Sequence, residues 1–165
     1  MKVRKYVFLS IYTSLSLIIF MLESLIPPLL PVPGVKLGLS NIVTLVVFYI
    51  YGPLDAGILV LIRTLLGSVL CGQLSMFPYS IAGGAFAILS AIILKPLIRE
   101  KQIPILSAFS AIFHNLGQMI MAVIISSTGK LWVYFPLLII SGIITGLFTG
   151  TIVLYSLPYL KNKVL

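Results

Sequence analysis

"PVPGVKLGLSN", residues 31–41, lies between two strongly apolar runs. Its two prolines, two glycines, one lysine and one asparagine interrupt the hydrophobic pattern, so it marks the first passage from one apolar segment to the next. Pro31 and Pro33 bias the chain toward extended backbone, Gly34 permits a sharp turn, and Lys36 to Asn41 begin the following helix. It is either a turn with a snorkelling lysine or a receptor in which free N–H groups at a helix start, with Lys36 and Asn41, face an anion.

Working outward from it, the whole chain reads as membrane-embedded. Of its 165 residues 60% are hydrophobic and 8% charged, with a mean hydropathy of +1.21, which excludes a soluble globule of ordinary composition. A segment of about 20 apolar residues crosses a hydrocarbon core of about 30 Å. Six such runs are expected, at about 6–26, 37–52, 54–72, 76–98, 104–128 and 132–157, each set off by Pro, Gly or charge. Lipid offers backbone groups no partner and barrel-type alternation is absent, so the expected fold is an all-α integral membrane protein. It would form a single transmembrane domain over residues 1–165. Only Gly52 and Pro53 separate the second and third runs, which read either as a tight helical hairpin or as tilted, partly re-entrant helices. The first run follows Lys2, Arg4 and Lys5 as a signal peptide would, but it is too long for a usual h-region and lacks a small-residue cleavage site.

The basic residues set the orientation. With the N-terminus inside, the inner side holds Lys2, Arg4, Lys5, Lys95, Arg99, Lys101, Lys161 and Lys163, and the outer side only Lys36 and Lys130. Both termini are therefore expected to be cytoplasmic. Tyr6, Tyr155 and Tyr159 at the inner boundary and Trp132 and Tyr134 at the outer one fit an aromatic belt. The net charge of +8 is accounted for by this asymmetry and by anionic headgroups of the lipid bilayer, without a nucleic-acid partner. The single cysteine, Cys71, excludes an intramolecular disulfide and a Cys-based metal site.

Polar groups within hydrocarbon are costly, so the few that occur there point to function. Arg63 falls about 13 Å from the inner end of its segment, close to mid-membrane. It either makes a structural pair with Glu23, which would require a reach of about 10 Å, or with helix-end carbonyls, or it serves as an anion receptor. "HNLGQ", residues 114–118, lies at a similar depth, with His114 and Gln118 on one helix face and Asn115 beside them. "YSIAGGAFA", residues 79–87, offers Ser80, Gly83 and Gly84 for tight helix packing, and Gly142, Gly146 and Gly150 form a double GxxxG ridge whose partner is left open. One Asp and two Glu cannot supply an aspartate-rich Mg²⁺-diphosphate site. A phosphate loop, a Ser-His-Asp triad and a zinc set are also missing, so neither a catalytic residue, a cofactor nor a metal is expected.

"ESLIPPLLPVPGVKLGLSNIVTL", Asp55 followed by Arg63, "YSIAGG", "HNLGQ" and "PLLIISGIITGLFTG" together resemble the Gx transporter family, also labelled heptaprenyl diphosphate synthase component I. The resemblance covers nearly the whole chain and implies a relation to the substrate-binding S-components of energy-coupling factor (ECF) transporters. It implies six helices in a bacterial plasma membrane, with a loop after the first helix over an outward-facing pocket. An S-component would capture a small anionic or amphipathic solute under the 27–36 loop, with Arg63, His114, Asn115 and Gln118 lining the pocket, Lys36 and Asn41 at its mouth and Glu23 nearby. A coupling subunit and two ATPases would supply energy, docking on a small-residue surface of the first helix. Ser10 and Ser14 stand there in place of the alanine pair usual in S-components. The alternative is a non-catalytic membrane component of prenyl-quinone synthesis or flavin-based extracellular electron transfer, holding a prenyl synthase or flavoprotein through the Gly142/Gly146/Gly150 ridge.

Overall fold

The computed structural model describes residues 2–25 and 38–164, and among them every regular element is a helix. The α-helices are α1 Lys2–Ser24, α2 Asn41–Ile50, α3 Pro53–Leu70, α4 Phe77–Leu94, α5 Ile103–Ser126 and α6 Phe135–Val164. Short 3-10 turns, Leu74–Met76, Glu100–Gln102 and Gly129–Tyr134, lead into the last three. Lys36 and the 27–36 cover fall outside the described residues, as do the side chains of Lys2 and Lys163.

Five stretches are long and apolar enough to cross a membrane: Val3–Ser24, Pro53–Leu70, Leu74–Leu94, Glu100–Ser126 and Gly129–Asn162. The segment expected as a span at 37–52 differs. Its helix, α2, has 10 residues and is about 15 Å long, half of the hydrocarbon thickness. Backbone conformation limits it at both ends. Gly38, at φ +78°, belongs to the turn ahead of Asn41, and Gly52, at φ +101°, reverses the chain in a conformation that side-chain-bearing residues avoid. Pro53 then opens α3 in its first turn, where a missing N–H costs nothing. Helices α2 and α3 thus meet in a tight turn at Gly52, with α2 as the short arm.

Burial is inverted relative to a soluble bundle. Ser16, Glu23, Ser40, Arg63, Thr64, His114, Asn115 and Gln118 are buried, while Ile11, Leu15, Ile18 and Leu22 on α1, Leu61, Leu65 and Val69 on α3, and Ile140, Ile144 and Phe148 on α6 are exposed. An aqueous surface would penalise that arrangement, whereas a lipid surface requires it.

Contacts among helix ends place Lys5, Lys95 and Lys161 at one end of the bundle. Lys5 pairs with Asp55 at 2.8 Å and lies over Tyr51, Lys95 lies over Phe48 and Tyr49, and Lys161 pairs with Glu100. Beside this basic end is an apolar cluster of Val46, Val47, Phe48, Leu59, Ile103, Leu106, Val153 and Leu157. A smaller cluster, Tyr79, Met119, Ala122 and Leu138, fills the opposite end. The polar side chains lie between the two clusters.

The most extensive helix pairings are α5 with α6 and α4 with α5. Missing Cβ atoms make them possible. A Cβ on Gly146 would collide with the backbone of Ala108, one on Gly150 would come 2.5 Å from Pro104 Cα, and one on Gly117 would come 2.7 Å from the carbonyl oxygen of Ala82. The Gly142/Gly146/Gly150 ridge thus lies against α5 of the same chain, which leaves it no room for a separate protein. Its proposed use as a docking ridge is corrected accordingly.

Candidate functional site

The site is built where α1, α2 and α3 meet α4 and α5. On α1 the buried face runs through Tyr12, Ser16, Phe20 and Glu23, spaced four, four and three residues apart, so all four project into the bundle. Glu23 is the last of these, and its carboxylate receives the N–H of Leu39 on Oε1 at 2.8 Å and that of Ser40 on Oε2 at 3.2 Å. These are orphan donors at the start of α2, and an anion there also complements the helix dipole. Ser16 Oγ donates to the Ser40 carbonyl at 3.3 Å, fixing the same turn from below.

Arg63 projects from α3 into this corner and is 2% exposed. Its Nη2 donates to Asn41 Oδ1 at 2.7 Å and its Nη1 to Ser16 Oγ at 3.1 Å, while Nε has no partner. The expected direct pair with Glu23 is not formed: the only ion pairs among the described residues are Lys5–Asp55 and Lys161–Glu100. Glu23 is engaged by the backbone ahead of α2. Its hydrogen bonds go to neutral oxygens, and the Glu23 carboxylate, in the wall of the same small cavity, attracts it through space without a direct ion pair.

The "HNLGQ" residues divide into two roles. Asn115 Nδ2 donates to the Leu138 carbonyl at 2.9 Å, tying α5 to α6. His114 and Gln118 face α4, where Gly83 lets them lie close: a Cβ there would meet Gln118 Cγ and His114 Cε1 at 2.9 Å. His114 is 6% exposed and its Nδ1 has no hydrogen-bond partner.

Two cavities meet here. The smaller, about 10 Å³ measured at the centre of a water-sized sphere, is lined by Glu23, Ser40, Arg63, Ser80, His114 and Gln118 among others. It has room for one water. The larger, about 40 Å³ by the same measure, runs between α2, α4, α5 and α6, with Asn41, Phe48, Ala87, Ala91, Ala111 and Thr149 in its wall. Gly38 and His114 line both. Gly38 and His114 therefore stand at the boundary between a charged recess and a longer chamber, with Asn41 in the chamber wall.

The structure thus gathers Glu23, Asn41, Arg63, His114, Asn115 and Gln118 into one region. Ser10 and Ser14 are on the exposed face of α1, away from it. Gly84 faces Val60 on α3. Sequence reasoning missed Ser16, Ser40 and the hydroxyl residues of the chamber, Thr44, Ser107, Ser110, Thr145 and Thr149. Ser16 was findable from its place on the buried stripe of α1, but its pairing with Arg63 depends on how the helices cross.

Over residues 12–156 the chain matches the family model of heptaprenyl diphosphate synthase component I. The chain belongs to that family. No curated protein and no solved structure matches it. The family's description names one component of a synthase, so chemistry on this member has to be judged from its own side chains. Its three acids are all engaged: Asp55 with Lys5, Glu100 with Lys161, and Glu23 with the backbone ahead of α2. Among the described residues no three His, Cys, Asp or Glu side chains converge as a metal site would require.

Proposed function

We propose that the protein is a non-catalytic, substrate-binding membrane subunit, related to ECF S-components, that captures a small anionic or amphipathic solute from the outer side. The observation that supports this most is Arg63: buried in a bundle with lipid-facing apolar walls, held by neutral partners, with Nε unused beside an unpartnered His114 nitrogen. A purely structural arginine at such a depth would be expected to meet a carboxylate or backbone carbonyls, whereas Arg63 is hydrogen-bonded to the Asn41 and Ser16 side chains. In this reading Arg63, His114 and Gln118 receive the anionic group, with Lys36 and Asn41 at the mouth, and both termini are cytoplasmic. Five long helices plus the α2 half-helix complete the six-helix arrangement.

Partner subunits would then reorient the protein as a rigid body. The lipid-facing Ser10 and Ser14 give such partners a place to approach α1 closely. A second reading is favoured by the family description: a membrane partner of a prenyl diphosphate synthase. Affinity capture from native membranes in mild detergent separates the two. Recovery of ATPases with a transmembrane coupling subunit is expected; recovery of a prenyl synthase or flavoprotein without them overturns the transport reading. Arg63→Ala should abolish ligand-induced thermal stabilisation, and unchanged stabilisation would sink the site assignment.

A further inference from the structure

Glu23, Arg63 and His114 line the same small recess, yet among the described residues no hydrogen bond or ion pair joins any two of them. Arg63 Nε–H is a donor without an acceptor, and His114 Nδ1 is a nitrogen without a partner. The two Glu23 oxygens each take one backbone N–H, from Leu39 and Ser40, so both keep lone pairs to spare. The three groups are nonetheless near enough to act on one another, Glu23 on Arg63 and Arg63 on His114. Buried donors and acceptors left unmet are costly, and water meets them where the site is polar and has room. The recess measures about 10 Å³ at the centre of a water-sized sphere, the space of about one water.

We infer that the recess is a binding site for a single ordered water that joins the three side chains, accepting from Arg63 Nε–H and donating to His114 Nδ1 and to the Glu23 carboxylate. Three bonds are the usual number for a buried water. Donor and acceptor counts fix the direction of each. A guanidinium only donates and a carboxylate only accepts, so the water accepts from the first, donates to the second and has one hydrogen left for the imidazole. His114 Nδ1 then carries no hydrogen, and the ring keeps its proton at Nε2. The bridge also accounts for the missing direct pair. Arg63 and Glu23 are paired through the water, which leaves Glu23 to hold the start of α2, and Nη1 and Nη2 to hold Ser16 and Asn41. Helices α1, α3 and α5 are thereby tied at one point. The water site goes beyond the anion reading and does not depend on it; for a solute arriving at this corner, the water is the occupant to be displaced.

The chain has one histidine, and its arginines are Arg4, Arg63 and Arg99, so NMR of protein labelled with 15N-histidine and 15N-arginine in detergent micelles isolates the site. At neutral pH His114 should be unprotonated at Nδ1 and protonated at Nε2. The His114 ring hydrogen Hε1 and Arg63 Hε, the latter assigned by its loss in Arg63→Lys, should both receive magnetisation from a bound water. Ser80→Thr adds a methyl group to the recess wall and should lose both transfers while the protein remains folded by thermal unfolding. A proton on His114 Nδ1, or transfer that reaches neither or only one of the two groups in the wild type, overturns the bridge. If Ser80→Thr folds and keeps both transfers, the water lies outside the recess and the inference falls as well; if that variant does not fold, the wild-type spectra decide. No solute is added in these measurements, so their outcome is separate from that of the anion reading.

Discussion

The two sides of the bundle are held together by different physics. On one side α4, α5 and α6 approach through Gly83, Gly117, Gly142, Gly146 and Gly150, where backbone touches backbone or the stem of a facing side chain. On the other, α1, α2 and α3 are joined near mid-bundle by a polar chain from Glu23 through the start of α2 to Asn41, Arg63 and Ser16. Close packing without side chains gives van der Waals contact and little tolerance for change. A polar junction in a low-dielectric setting can exchange partners, because a guanidinium that leaves Asn41 for an anion gains charge complementarity. The cavities lie between the two, with one wall fixed and the other able to re-pair.

Breaking the fixed side should have the largest effect. Gly146→Leu places side-chain atoms against the Ala108 backbone, which cannot rotate away, and should destabilise by about 3 kcal/mol or more, or prevent folding. Thermal unfolding in detergent checks this; a variant as stable as wild type would remove the glycine ridge from the account. Gly83→Ala tests where the fixed side touches the site. Its methyl group displaces His114 and Gln118 rather than backbone, so a cost of about 1–2 kcal/mol is expected together with a loss of anion binding, read with inorganic phosphate.

The polar side should respond in the opposite proportion, with function lost more readily than stability. Arg63→Leu leaves Ser16 and Asn41 without their donor but removes a buried charge lacking an ion-pair partner. These terms oppose one another, and the net change in unfolding free energy should stay within about 2 kcal/mol while ligand stabilisation disappears. Glu23→Gln keeps an acceptor for one of the two N–H groups and should cost about 1 kcal/mol, read as a lowered Tm. Smallest of all, Asp55→Asn at the basic end should change stability by less than about 1 kcal/mol, because its partner Lys5 is partly solvated.

The contrast also explains what could be read in the sequence. The helices were legible because long apolar runs ended at Pro, Gly or charge, and five of them are membrane-length. That the second run was short was legible, but not that its helix has only 10 residues, since its apolar composition continues outside the helix while its start is set by a tertiary contact, Glu23 on Leu39 and Ser40. Arg63, His114 and Gln118 stood out because polarity in an apolar run is costly. Their partners did not: Ser16 resembles any serine on α1 until the helix crossing brings it to Arg63. Hydrophobicity is local and periodic, whereas pairing depends on a crossing angle that single-chain patterning does not specify.

The central claim is that the Arg63 corner receives an anion. Native mass spectrometry of wild type and Arg63→Leu, each purified from membranes and then incubated with inorganic phosphate, tests it most directly. The wild-type protein should retain a bound anionic mass that Arg63→Leu lacks, at similar folded yield. Equal occupancy of the two proteins, or a wild type that is empty both as purified and after incubation, would contradict the account.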